Sequence, residues 1–109
     1  MPVINREVVL ERLGGDEELY AEICDLFLRD GNMMIDRLRM ELAANRLDIA
    51  TRYAHSIKSM ASNIGAEMLT EAAHNAETAG RSGDVETMRR LLPLVESALN
   101  AALSELTNR

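Results

Sequence analysis

The sequence predicts an all-α fold: an antiparallel up-down four-helix bundle with an additional short N-terminal helix. Three observations lead there. The apolar residues are chiefly Leu, Ala, Met, Ile and Val, with two tyrosines, one phenylalanine and no tryptophan. That set favours helix, because β-branched and aromatic side chains dominate strands. Apolar positions recur at intervals of three and four rather than alternating. The connections between these stretches are short, which makes consecutive helices antiparallel neighbours.

Asn5 suits the N-cap of a short helix from Arg6 to Leu13, ended by Gly14-Gly15. Asp16 is placed to cap the next helix, with Glu17 and Glu18 in its first turn, where carboxylates favour the helix dipole. Leu19, Ile23, Leu26, Phe27, Met34, Leu38 and Leu42 keep helical spacing to about Asn45. Gly31-Asn32 interrupts the run, which predicts one bent helix or two abutting ones. Asp48 is the expected cap of a third helix, which should reach about Ile64 and end at Gly65. A fourth opens at Ala66, turns Leu69, Ala72, Ala73, Ala76 and Ala79 inward, and gives way to a turn at Arg81-Ser82-Gly83-Asp84. A fifth starts at Val85 and carries Met88, Leu91, Leu92, Val95, Leu99, Ala102, Leu103 and Leu106. Pro93 lies inside it and should bend it, since proline removes a donor and crowds the preceding turn.

The 109 residues fit one domain, 1–109, with a modest single core. A net charge of −6 argues against nucleic acid, whose binding relies on clustered Lys and Arg. No apolar run approaches the ~20 residues of a membrane span, and the start of the chain lacks the pattern of a signal peptide. Cys24 is the sole cysteine and cannot form an internal disulfide, which predicts a reducing, cytoplasmic setting. It flanks an apolar stripe and reads as a small core residue.

The third helix holds the most informative stretch. Tyr53, Ile57, Met60 and Ile64, with Ala50, Ala54 and Ala61 beside them, fall on one face. Arg52, His55, Ser59 and Ser62 form a polar stripe on the other side. The apolar face should point to the core and His55 to water. Lys58 follows one turn later, where its ammonium could offset negative charge on an arriving group. Imidazole is neutral for much of the cellular pH range, so one ring nitrogen is then free as a nucleophile.

Ala54-His55, Ile57-Lys58 and Gly65-Ala66 resemble the signature of the histidine phosphotransfer (HPt) family of two-component phosphorelays. Ser59 stands where the family has a glycine. Leu13 to Leu19 and Gly83-Asp84 look like the family's turns before its second and last helices. The resemblance implies that His55 carries a phosphoryl group and that Lys58 assists. His74 and Glu77 stand one turn apart on the fourth helix, at the offsets of a similar pair in chemotaxis-kinase members. By resemblance Glu77 accepts a hydrogen bond from Nδ1 of the phosphorylatable ring, leaving Nε2 as nucleophile, and His74 joins that network. Arg52, Ser59, Ser62 and His74 are the candidates for docking a partner.

The implied partners are response-regulator receiver domains, a hybrid histidine kinase, or both, met by a monomer. No cofactor is expected on the chain itself, Mg²⁺ belonging to the partner receiver. A metal is not expected either, because the sequence lacks the His-x-x-x-His or Glu-x-x-His pairing that puts two ligands on one helix face. With no phosphate-cradling loop and no nucleotide motif, the expectation is a carrier rather than an autonomous kinase. Two alternatives stay open: a helical binding module in which Ser59 marks lost transfer, and the phospho-acceptor domain of a larger chemotaxis or hybrid sensor kinase. Met33, Met34, Met40, Met60, Met68 and Met88 sit mostly at apolar helical positions and read as core.

Overall fold

The computed structural model describes residues 3–108. They form α1 (Arg6–Arg12), α2 (Glu17–Ala43), α3 (Leu47–Ile64), α4 (Glu67–Arg81) and α5 (Val85–Thr107). No strand occurs among the described residues. Three helix starts are set by side-chain caps. Asn5 accepts from the Val8 amide at 3.4 Å, Asp16 from Leu19 at 3.0 Å and Asp84 from Thr87 at 3.0 Å. Each satisfies an amide that the helix itself leaves unpaired, for about 1 kcal/mol.

The start of α3 differs from expectation. Arg46, not Asp48, occupies the cap position, and no side chain bonds there. Asn45 takes a left-handed φ of 59°, and the Arg46 amide closes back on Glu41 O at 2.9 Å. The chain leaves that turn directly into helix, so Asp48 falls inside the first turn, where its carboxylate still meets the positive helix end.

No second helix begins at Gly31-Asn32: α2 is one helix of 27 residues. Gly31 is buried on its inward stripe, facing Leu99 and Leu103 of α5. That stripe is Tyr20, Cys24, Phe27, Gly31, Ile35, Leu38 and Leu42, one position later at its start than the spacing of leucines suggested. Leu19 and Leu26 are therefore exposed. Tyr20 can replace them inside because its hydroxyl donates to Ile64 O at 2.9 Å. The helix α5 likewise continues through Pro93.

Each long helix packs on its neighbours in sequence, and α5 returns against α2 to close the bundle. Phe27, Leu38, Leu42, Ile57, Ile64, Leu69, Met88, Val95 and Leu99 are fully buried between them. Of the methionines expected in the core only Met88 is fully inside, with Met34 and Met60 partly covered. Met33, Met40 and Met68 are exposed, because Ile35, Leu38 and Leu69 hold the adjoining inward positions.

The α3–α4 seam is built from small residues. Ala50, Ala54 and Ala61 face Ala73 and Ala76 with no accessible surface left. Gly80 extends the seam: a Cβ there would collide with Thr51 Oγ1 and approach Met88 Cε to 2.6 Å. At the far end Gly65 takes φ +85°, and a Cβ would lie 2.5 Å from the Asn5 carbonyl oxygen. Only glycine meets both demands without strain. The Asn5 amide donates to Gly65 O at 2.8 Å, so the chain leading into α1 is tied to the α3–α4 corner.

Candidate functional site

The seam brings α4 near enough to α3 for a short carboxylate to reach across. Glu77 follows Ala76 on the inward side of α4 and retains 2% of its surface, the one charged or polar residue buried among those described. A buried carboxylate is costly unless paired and hydrogen-bonded. Here three neighbours supply partners. His55 Nδ1 lies 2.8 Å from Oε2, and Arg81 donates to the same oxygen from Nε at 3.0 Å and Nη2 at 2.6 Å. The Lys58 ammonium is 2.6 Å from Oε1. No well-aligned hydrogen bond to Oε1 accompanies that ion pair. At such a separation the attraction between the charges does not depend on alignment, and it offsets the burial of this oxygen.

Burial by itself would raise the Glu77 pKa. The close contact and charge of Lys58, with hydrogen bonds from Arg81 and His55, outweigh it and hold the carboxyl at about 2, below its ordinary 4.5. Glu77 is therefore ionised and can only accept. It follows that Nδ1 of a neutral His55 carries the proton and Nε2 keeps its lone pair. The His55 side chain is 51% exposed, whereas Lys58 is 26% exposed and Glu77 3%. The arrangement is a half-exposed imidazole backed by a buried anion, with two cations already on that anion. It suits an exposed ring nitrogen that forms a bond to an electrophile while positive charge builds on the ring.

Of the residues named from sequence, His55, Lys58 and Glu77 come together. Arg52 and Ser59 are exposed on α3 and Ser62 is partly so. They flank the cluster without bonding to it. His74 is exposed on α4 and makes no hydrogen bond or ion pair with the cluster. It lines a cleft with Arg12, Ser62 and Glu71 that Lys58 borders from the cluster's side. The expectation that His74 joins the network is thus corrected: at 74 the α4 side chain points to water, while 73, 76 and 77 point inward.

Arg81 is the residue the sequence reading missed. The spacing puts it in a turn, whereas it is the last residue of α4. The signal was available, since Glu77 and Arg81 stand at i and i+4 with the acid first, the favoured order on a helix. Among the described residues no group of three His, Cys, Asp or Glu side chains lies close enough together to hold a metal ion. Among those residues no helix is long and apolar enough to cross a membrane.

In a comparison with protein-family models, residues 22–108 match the Hpt domain. No curated protein and no solved structure gives a match to the chain. The matched span takes in most of α2, all of α3 with His55, and α4 with Glu77 and Arg81, as well as α5. Membership of that family implies histidine phosphotransfer within two-component phosphorelays, as a phosphoryl carrier rather than a kinase. On that match and the all-helical bundle, the chain belongs to the Hpt domain family.

Proposed function

We propose that this chain carries a phosphoryl group on Nε2 of His55, accepting it from the aspartyl phosphate of one response-regulator receiver and passing it to the aspartate of another. The observation that supports this is the half-exposed ring whose Nδ1 meets the buried Glu77 carboxylate at 2.8 Å. In the accepting step the Nε2 lone pair attacks phosphorus, the N–P bond forms, and the P–O bond to the aspartyl carboxylate breaks. The carboxylate leaves with its electron pair. No proton needs to move: Nδ1 keeps its hydrogen, and the ring's new positive charge faces Glu77. Lys58 stands one turn away to meet the phosphoryl oxygens. Donation is the same step reversed.

Such transfer needs positioning and charge neutralisation rather than covalent help from the carrier. Mg²⁺ and the phosphoryl-handling acids belong to the receiver, so the carrier works without a cofactor. The docking face runs over Arg52, Ser59 and Ser62 and the exposed Leu26 of α2. The same reading has a single domain acting as a monomer in the cytoplasm, with no nucleic-acid partner.

Intact-mass measurement after exposure to a phosphorylated receiver tests the proposal. One phosphoryl group should appear on the parent chain and none on His55→Gln. A parent chain that binds receivers and is never labelled would establish the binding-module reading instead.

A further inference from the structure

Arg81 spends two donors on a carboxylate that Lys58 already neutralises. Its Nε and Nη2 both point at Oε2, the same oxygen that receives Nδ1 of His55, and leave Oε1 to Lys58. A surface i,i+4 pair at a helix end contributes little and would leave its acid free to rotate. This pair differs, because the acid is buried and its second oxygen is gripped from α3. The carboxylate is held at both ends, from two helices, with one oxygen turned to the imidazole.

The outer edge of Arg81 is not buried: its side chain is 67% exposed. With Thr51, Arg52, His55 and Ser56 it lines a polar cleft of about 320 Å³ beside the ring. The guanidinium thus has one side on Glu77 and another towards the space next to His55.

Resting on the carrier reading above, we infer that Arg81 is a positioning residue for phosphotransfer: it locks the Glu77 carboxylate so that Oε2 faces Nδ1 of His55, which keeps the proton on Nδ1 and the lone pair on Nε2. A planar guanidinium offers two parallel N–H groups at fixed separation, whereas lysine offers one mobile ammonium. The role needs the fork as well as the charge.

The test uses the full chain with Arg81→Ala and Arg81→Lys. It reads the ¹⁵N resonances of the His55 ring, which distinguish the two neutral tautomers, and the single-turnover rate from a phosphorylated receiver. Arg81→Ala should shift the ring signature towards the Nε2–H tautomer. It should also slow transfer at saturating receiver by about 10-fold, the loss of one charge-assisted hydrogen bond from the reacting arrangement. Half-saturation by receiver should change little, and Arg81→Lys should recover part of both effects. Circular dichroism confirms that the helices are intact, and Arg81→Lys, which keeps the charge, gives the readout if the alanine variant does not fold.

An unchanged ring signature in the variants overturns the inference, whatever the rate does. A fall in rate that vanishes at high receiver concentration also overturns it, by making Arg81 a docking contact. Labelling of His55→Gln would overturn the carrier reading, and it leaves the ring-signature measurement standing as a separate result.

Discussion

Two histidines beside the α3–α4 seam face solvent, His55 from α3 and His74 from α4, with different surroundings. His55 stands over Glu77, a carboxylate buried between the helices and paired with Lys58 and Arg81. His74 has no buried carboxylate behind it and lines a cleft with Arg12, Lys58, Ser62 and Glu71. Both side chains are exposed, and both have polar surroundings. What separates them is a fixed negative charge behind one ring. A histidine's exposure makes it reachable, and the group behind it decides which nitrogen reacts and where the resulting charge goes.

The largest effect should come from exchanging the two rings for amides. His55→Gln should abolish labelling by a phosphorylated receiver, and His74→Gln should leave it within about twofold, both with near-parental melting because exposed sites contribute little to stability. Label mapped by peptide mass to residue 74 would reverse the comparison. Next comes Lys58→Ala, which takes a cation from the phosphoryl approach and from Glu77 Oε1 together. Single-turnover transfer should slow by about 10- to 1000-fold, as expected for ~1.4–4 kcal/mol of transition-state stabilisation. An unchanged rate would make the lysine a purely structural partner of Glu77.

The third test probes the buried charge by acid. The Glu77 pKa is lowered on folding, so its contribution is fully present above pH 4.5 and is lost as pH falls towards about 2. The size of the shift corresponds to something on the order of 3 kcal/mol. Urea unfolding between pH 6 and 2.5 should show that slope in the parent and much less of it in Glu77→Gln. Equal slopes would mean that the carboxylate is not held as the geometry indicates. The smallest effect belongs to Ser59, exposed one turn after His55 where a glycine was expected by resemblance. Ser59→Gly should cost about 0.5 kcal/mol in chemical unfolding through helix propensity. Transfer should stay equal or become faster. Recovery of transfer by this variant from an inactive parent would make the native chain a lapsed carrier.

Much of this was legible in the sequence, and what was missed has physical reasons. Asn5, Asp16, Gly65 and Asp84 announce their turns because capping is local chemistry. His55 and Lys58 follow from helical spacing, with resemblance giving them a role. The burial of Glu77 was not read, although it lies among Ala73, Ala76 and Gly80 on the inward side of α4. An acid on an alanine-lined face is the clue, since such a face packs too closely to leave a carboxylate in water. Arg81 was lost to a helix boundary placed one residue early, since α4 ends at Arg81 and not before it. Leu19 and Leu26 were placed inside because periodicity fixes a spacing and not the phase of a stripe. Tyr20 took the inward position once Ile64 O was there to receive its hydroxyl.

Gly80 has no functional group, yet it governs the gap across which Glu77 reaches His55. A methyl group there would meet Thr51, whose hydroxyl is fixed by a 2.7 Å bond to Leu47 O and cannot swing aside without losing it. The ~1 kcal/mol that alanine gains over glycine in a helix would then be set against a parting of the two helices. The hydrogen bond from Nδ1 has a working range of a few tenths of an ångström. Gly80 acts as a gauge block: on the carrier reading, the ring's reactivity depends on a spacing set by the thickness of a residue that takes no part in the reaction.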